Sequence, residues 1–130
     1  MSSSELTSLS ARAAVEMLKS GKVSPLELID AAEERIAAVE PAVNAVPTLC
    51  LDQARRAAKA LRVPENLRPG WLGGLPIVVK DVTDVAGVKT THGSPIFADH
   101  IAKCDDISVE ILKRNGAIVI GKSNTPEFAA

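Results

Sequence analysis

The sequence predicts an α/β fold in which helices come first and a βαβ unit follows. Two observations support this prediction. In the first part of the chain, apolar residues recur at helical spacing between capping and stop signals. After Trp71, two short β-branched apolar runs flank a helical segment, which is the pattern of two buried parallel strands joined by a crossover helix. We therefore divide the chain into a helical lead-in, residues 1–70, and the start of an α/β core, residues 71–130.

The N-terminal segment from Met1 to Ser10 is predicted to be an unanchored terminus. It is rich in serine and lacks both a basic start and an apolar stretch, so it does not have the pattern of a secretory signal. Three adjacent serines, Ser2, Ser3 and Ser4, resemble a nucleophile only superficially. A serine nucleophile needs a rigid turn and oxyanion-hole donors, which a free terminus does not supply.

Two amphipathic helices follow this terminus. Ser10 is placed to cap the first helix, and Gly21 is placed as its left-handed stop. Ser24 and Glu27 have the spacing of a capping box at the start of the second helix, which Pro41 is expected to end. The first apolar stripe consists of Ala11, Ala14, Val15 and Leu18, and the second consists of Leu28, Ile29, Ala32, Ile36 and Val39.

The lead-in ends with a short extended segment and a third helix. The apolar segment from Ala45 to Leu51 contains Pro47, which confines it to a brief edge strand. Asp52 starts the third helix, and this helix stops before Pro64. Its apolar stripe consists of Ala54, Ala57, Ala58 and Leu61.

The βαβ unit begins with the apolar run from Leu75 to Val79, which predicts a buried strand. Asp105 or Asp106 caps the crossover helix after a long loop, and Gly116 follows its end. The second buried strand is predicted from Ala117 to Ile120 and should lie parallel to the first. The predicted apolar face of the helix consists of Ile107, Ile111 and Leu112.

A lysine stands at the carboxyl end of each predicted strand, where sites of open α/β sheets collect. By strand alternation Lys80 shares a face with Val78, so its ammonium is expected to be partly removed from water. One interpretation is a strand-end lysine that reaches solvent or pairs with Asp81 or Asp84. The other is a general base, which requires desolvation because a free lysine has a pKa of about 10.4.

The second lysine, Lys122, follows Gly121 and precedes Ser123, an order that resembles the end of a phosphate-binding loop. The glycine-rich loop itself is missing, because the residues before Gly121 form the predicted strand. A polar turn or a structural salt bridge is therefore the interpretation we adopt for Lys122. His92 and His100 lie in the long loop with no partner at metal-ligand spacing, which indicates a loop or surface role.

Composition excludes several classes of function. Fifteen Lys plus Arg against sixteen Asp plus Glu give a formal charge of −1, so no basic patch indicates binding to nucleic acid or to a membrane. Aromatic residues make up only 2% of the chain, too few for a base-stacking surface. Cys50 and Cys104 are far apart and lack metal-ligand spacing, so we predict two free thiols and a reducing, cytoplasmic location.

Three segments in one order resemble the amidase-signature family. They are residues 74–81 (GLPIVVKD), 84–94 (DVAGVKTTHGS) and 116–128 (GAIVIGKSNTPEF), and residues 21–27 (GKVSPLE) are similar to the family's lead-in. The one departure we note is Val82, where many members have Asn or another residue. The resemblance implies the N-terminal part of an α/β/α fold with a mixed sheet flanked by helices.

The resemblance also implies a Lys, cis-Ser, Ser triad that hydrolyses a small carboxamide to a carboxylate and ammonia or an amine. Lys80 falls on the family's catalytic lysine, whereas the two serines belong to a Gly/Ser-rich segment that this chain does not contain. The family's reaction uses no metal and no organic cofactor. Asp81 and Asp84 are expected to organise hydrogen bonds around Lys80, and the expected partners are the remainder of the enzyme or a second copy of the chain.

Two alternatives remain open at this point. A glutaminase subunit of a tRNA-dependent amidotransferase shares the same lysine segment and hands its ammonia to another protein. A non-catalytic fragment, inactive by itself, is favoured by the missing serines. The lysine segment does not separate these alternatives from a free-standing amidase.

Overall fold

The computed structural model describes all residues from Met1 to Ala130 and contains five α-helices and three strands. In chain order the elements are α1 (Ser3–Thr7), α2 (Ala11–Lys19), α3 (Pro25–Val43), β1 (Thr48–Leu49), α4 (Leu51–Ala60), β2 (Pro76–Lys80), α5 (Ile107–Arg114) and β3 (Ile118–Ser123). Two short 3₁₀ helices, Pro95–Phe97 and Glu127–Ala129, lie in the loops that follow β2 and β3. None of the helices combines the length and the apolar character needed to cross a membrane.

The three strands form one mixed sheet in the order β1, β3, β2. Strands β2 and β3 are parallel, with α5 between them in the chain, so the predicted βαβ unit is confirmed. Strand β1 pairs antiparallel with the other edge of β3, which confirms the predicted brief edge strand. The lead-in thus contributes an edge strand to the sheet of the core. The division of the chain into two parts at residue 70 stays a prediction.

The N-terminus is a helix, and the prediction of an unanchored terminus is wrong. The Ser2 hydroxyl accepts a hydrogen bond from the Glu5 backbone N–H at 3.4 Å, and a Glu5 carboxylate oxygen accepts one from the Ser2 backbone N–H at 2.7 Å. This capping box starts α1, and Leu6 anchors it in a buried apolar cluster. The cluster also contains Ala14, Val23, Leu28 and Ala31.

Helix α3 begins at the predicted capping box but does not end at Pro41. The helix continues to Val43, because a proline near the end of a helix removes only one hydrogen bond and few turns remain to be disturbed. Asn44 then ends the helix in a left-handed conformation with φ of 49°. The Glu40 carboxylate accepts hydrogen bonds from the backbone N–H groups of Ala45 and Val46 at 2.9 and 3.0 Å, which fixes the exit of the chain toward β1.

Apolar side chains cover both faces of β3. Alternation places Ile118 and Ile120 against α3 and α4, whereas Val119 lies on the opposite face beneath Val109 of α5. The predicted apolar face of α5 is therefore wrong, because its only buried residue is Val109. Each of the three side chains predicted to form that face is at least 38% exposed to solvent. These side chains are Ile107, Ile111 and Leu112.

Both cysteines are free thiols, as predicted. The Cys50 thiol is half-buried and donates a hydrogen bond to the Val119 carbonyl oxygen at 3.4 Å. Burial raises the pKa of the Cys50 thiol, since desolvation disfavours the thiolate. Cys104 is exposed in the loop before α5.

Candidate active site

The carboxyl ends of β2 and β3 direct the two lysines to opposite faces of the sheet. In the parallel register Val79 lies opposite Lys122, and Lys80 lies opposite Ser123. A register shift between Ile77 and Val78 leaves Ile120 without a partner on β2 and interrupts the alternation along β3. Lys122 therefore shares the buried face with its partner Val79, and Lys80 belongs to the other face. Lys122 has no exposed surface, whereas Lys80 is exposed.

Lys122 is the centre of a buried polar cluster. Its Nζ donates hydrogen bonds to the Thr83 carbonyl oxygen at 2.7 Å, to Thr90 Oγ1 at 2.9 Å and to Asp81 Oδ1 at 3.4 Å. Three acceptors match the three N–H hydrogens of an ammonium group. Desolvation lowers the pKa of Lys122, and the carboxylates of Asp81 and Asp84 oppose that change.

The predicted salt bridge of Lys122 is confirmed, but the predicted turn at this position is wrong. Strand β3 continues through Lys122 to Ser123, three residues beyond its predicted end. Gly121 permits this extension, because a Cβ there would lie 2.5 Å from the Thr48 carbonyl oxygen of β1. The close approach of β1 therefore keeps the segment in the sheet.

Asp81 is held by both its side chain and its backbone. Its carboxylate accepts hydrogen bonds from the Thr91 backbone N–H at 3.1 Å, from the Thr91 hydroxyl and from Lys122. Its backbone N–H donates to the Ser123 carbonyl oxygen at 3.1 Å, and its own carbonyl accepts from the His92 N–H at 2.8 Å. The alternative in which Lys80 pairs with Asp81 is wrong, because the Asp81 carboxylate lies on the buried face with Lys122.

Lys80 ends β2 on an open face of the sheet. Its ammonium takes part in none of the chain's six ion pairs, and Val78 on the same face is 41% exposed. Within residues 1–130, Lys80 therefore corresponds to the alternative of a strand-end lysine that reaches solvent. The backbone around it is ordered, since the Lys80 carbonyl oxygen accepts a hydrogen bond from the Thr83 N–H at 2.9 Å. The arrangement presents a solvent-facing amine on a fixed turn.

A second set of contacts ties the long loop to the segment after β3. The Ser94 hydroxyl donates to Glu127 Oε1 at 2.7 Å, and the Phe128 N–H donates to the His92 carbonyl oxygen at 2.7 Å. Gly93 lies between these bonds with φ of +65°, and a Cβ there would be 2.8 Å from the carbonyl oxygens of Thr125 and Pro126. Sequence reasoning missed the pairing of Ser94 with Glu127, although both residues lie in the quoted segments.

The two histidines lie in this loop, as predicted, and contribute to an aromatic cluster. His92 packs edge-on against Phe97 at 5.0 Å between ring centroids and stacks with Phe128 at 6.4 Å. His100 is exposed at the edge of the cluster. The chain brings together no group of three or more His, Cys, Asp or Glu side chains that has the arrangement of a metal site.

Comparisons with known proteins agree with this architecture. The chain is 36% identical over 127 residues to a glutamyl-tRNA(Gln) amidotransferase subunit of Carboxydothermus hydrogenoformans, a match that covers 96% of this chain and 26% of that protein. It is 37% identical over 129 residues to an amidase of Pseudomonas putida, with 97% of this chain and 27% of that protein covered. The crystal structure of a bacterial aryl acylamidase of the amidase-signature family superposes on this chain with a TM-score of 0.80 and 28% sequence identity. This match covers 92% of this chain and 26% of the acylamidase chain.

The chain thus spans about a quarter of the length of the curated relatives that it matches. The model of the amidase family matches residues 27–130, which is most of the chain. This chain therefore belongs to the amidase family.

Proposed function

We propose that this chain supplies the catalytic lysine, Lys80, of a site that hydrolyses a carboxamide to a carboxylate and ammonia or an amine. The observation that carries the proposal is the placement of Lys80, which faces solvent from a turn fixed by the buried Asp81 and Lys122 pair. Its position in the GLPIVVKD segment resembles that of the family's catalytic lysine. The two serines of the proposed triad lie outside residues 1–130.

In the proposed mechanism a neutral Lys80 accepts a proton from the bridging serine. That serine in turn accepts the proton of the nucleophilic serine, whose oxygen attacks the amide carbon and forms a tetrahedral oxyanion. Collapse of this intermediate breaks the C–N bond, and the proton returned through the bridge leaves with the amine. Water then attacks the acyl-enzyme carbonyl while the same groups remove its proton. Breaking of the ester bond to the serine oxygen releases the carboxylic acid, which ionises to the carboxylate, and the proton returns through the bridge to the nucleophilic serine.

The exposure of Lys80 on the open face of the sheet determines what else the proposed reaction requires. Desolvation favours the neutral form of a lysine, and the Lys80 side chain is exposed to solvent in this chain. Its use as a base therefore requires that serines, substrate or further protein cover the face that carries Val78 and Lys80. We infer that the 130-residue polypeptide tested alone hydrolyses no simple amide faster than its own Lys80→Ala variant.

A second candidate is the glutaminase reaction of an amidotransferase, which the similarity to a glutamyl-tRNA(Gln) amidotransferase subunit favours. The chemistry at Lys80 would be the same, with the glutamine side-chain amide as substrate and ammonia passed to another protein of the complex. Activity on glutamine that rises when partner subunits are added would favour this candidate. Activity on simple amides without a partner would favour the amidase.

The proposed location is the same for the amidase and for the glutaminase. Both cysteines of the chain are free thiols, which favours the reducing cytoplasm.

A chimeric enzyme tests the proposal directly. Residues 1–130 replace the matching N-terminal region of the Pseudomonas putida amidase, to which they are 37% identical. We expect the chimera to hydrolyse amides and its Lys80→Ala variant to lose about two to four orders of magnitude in turnover, the usual effect of removing a general base. Lys103→Ala, at another exposed lysine of the chain, is the matched control and should retain activity. A folded chimera that is inactive, or that does not need Lys80, would contradict the proposal.

A further inference from the structure

A single buried side chain joins β3 to the segment that follows Lys80. Lys122 is on β3, and the three acceptors of its ammonium, on Asp81, Thr83 and Thr90, all belong to the ten residues after Lys80. Lys122 and Thr90 have no exposed surface and Asp81 is 4% exposed, so the buried ammonium is shielded from water. Lys122 therefore fixes the path of the backbone after β2.

Stability alone is a weak reason for this arrangement. Removing an ammonium and a carboxylate from water costs free energy that their attraction often fails to recover, and apolar residues of similar volume commonly stabilise a fold as well or better. A buried ion pair does fix geometry, because each charged group must find its partner in one position. The surrounding sheet already has apolar side chains for cohesion, including Val79 and Val119 on the same face.

We infer that Lys122 is a positioning residue, whose buried ammonium holds the turn that presents Lys80. The inference rests on the proposed function of Lys80. Lys122 cannot touch a substrate on the open face, because its side chain lies on the opposite side of the sheet. It acts on Lys80 through the backbone: the Thr83 carbonyl oxygen accepts from Lys122, while the Thr83 N–H donates to the Lys80 carbonyl oxygen at 2.9 Å.

Asp81 extends the same constraint to the long loop. Its carboxylate accepts from both Lys122 and the Thr91 N–H, and its backbone N–H donates to the Ser123 carbonyl oxygen. The residue immediately after Lys80 is therefore attached to β3 and to the loop at once. Loss of Lys122 would leave the Asp81 carboxylate buried without its cation and the Thr83 carbonyl oxygen without its donor.

Amide hydrogen exchange on the 130-residue chain tests the positioning without any assay of activity. In Lys122→Met we expect the backbone N–H groups of Thr83 and Thr91 to exchange about tenfold faster or more, the effect of losing hydrogen bonds to a charged group. Amides of α3 should keep their exchange rates. Lys113→Met, which removes the ion pair with Asp105 at 2.7 Å, is the matched control and should leave Thr83 and Thr91 unchanged. Unchanged exchange at Thr83 and Thr91 in Lys122→Met would overturn the inference.

A double variant separates positioning from charge balance. Asp81→Asn with Lys122→Met removes both charges, so it should recover stability that Lys122→Met loses. In the active chimera we expect the double variant to fold while its kcat falls at least about tenfold with KM changed by less than about threefold, since small misplacements of a reacting group lower turnover strongly. A folded double variant with unchanged kcat would overturn the inference.

The two proposals fail in different ways. If the Lys80→Ala chimera keeps its activity, the proposed function is wrong and Lys122 has no catalytic lysine to position. If Lys80 is essential but the double variant turns over normally, the proposed function stands and the role of Lys122 is wrong. Faster exchange at Thr83 and Thr91, a lowered kcat in the double variant and an essential Lys80 together would support both.

Discussion

Lysine and arginine at position 80 differ in one property that matters for the proposed chemistry. Both keep a cation and hydrogen-bond donors, but arginine does not lose its proton at working pH. In the chimera we expect Lys80→Arg to lose about two to four orders of magnitude in turnover while remaining folded by circular dichroism. Lys103→Arg should be neutral. A folded Lys80→Arg enzyme that keeps a tenth or more of the turnover would show that Lys80 acts through its charge.

Gly93 combines a left-handed backbone with a close approach to the segment after β3. A Cβ at Gly93 would lie 2.8 Å from two carbonyl oxygens at φ of +65°, whereas Gly21 has φ of +69° and open space around it. We expect Gly21→Ala to cost about 1 kcal/mol through its backbone conformation alone. Gly93→Ala should cost at least about 1 kcal/mol more, because either the loop or the neighbouring backbone must move. Urea unfolding measures the loss of unfolding free energy in each variant. Equal losses in Gly21→Ala and Gly93→Ala would mean that the close approach of Gly93 to the Thr125 and Pro126 carbonyl oxygens does not affect stability.

The sequence predicted Lys80 and Lys122 near the carboxyl ends of strands and an ion pair for Lys122, but it did not show which face of the sheet each lysine occupies. Alternation along one strand tells which residues share a face, and it does not tell which face is covered. That depends on the register between strands, in which Val79 and not Lys80 lies opposite Lys122. The partners Thr83 and Thr90 come from a loop whose course has no periodic signal, so the polar cluster became visible only in the structure.

At the scale of helices, two serines cap α1 and α3 by the same hydrogen-bond pattern. The bonds from Ser24 hold the pKa of the Glu27 carboxyl below its usual range, and those from Ser2 do the same for Glu5. A carboxyl with a lowered pKa stabilises the folded state at neutral pH, and this contribution disappears as pH falls through the lowered value.

Ser24→Ala should therefore raise the pKa of Glu27 toward its usual range and leave that of Glu5 unchanged. The substitution should also reduce stability at neutral pH more than at acidic pH, because at acidic pH Glu27 is protonated in both the original chain and the Ser24→Ala variant. Carboxyl titration by NMR measures the first effect, and urea unfolding at two pH values measures the second. Ser2→Ala is the reciprocal control. A Glu27 that titrates identically in both variants would show that the capping box contributes nothing to its charge.

Local signals predicted most helices and strands, and the errors have separate causes. The capping box of Ser2 and Glu5 was present in the sequence, but α1 is only five residues long and buries only Leu6, so no apolar period indicated a helix. In α5 the spacing of Ile107, Ile111 and Leu112 is helical, yet the sheet lies on the side of Val109. Periodicity finds a helix, whereas tertiary packing decides which of its faces is buried.

At the scale of the whole molecule, apolar surface remains open along one side of the sheet. A groove of about 530 Å³ lies between β2 and the first three helices, and most of its lining is apolar. Its lining includes Leu6, Leu9, Leu28, Ile36, Leu75, Ile77 and Val78. Strands β1 and β2 also form the two edges of the sheet, with backbone groups free to pair with another strand.

We therefore expect the purified 130-residue chain to self-associate and to bind a hydrophobic dye. Exposed apolar grooves and unpaired strand edges both promote association, and the formal charge of −1 gives little repulsion between copies. Sedimentation at several protein concentrations measures the association. Val78→Lys, which places a charge on the 41% exposed side chain of edge strand β2, should reduce it, whereas Val63→Lys at an exposed residue away from the sheet should not. A monomeric chain that unfolds cooperatively and binds no dye would show that its open face is stable in water without a cover.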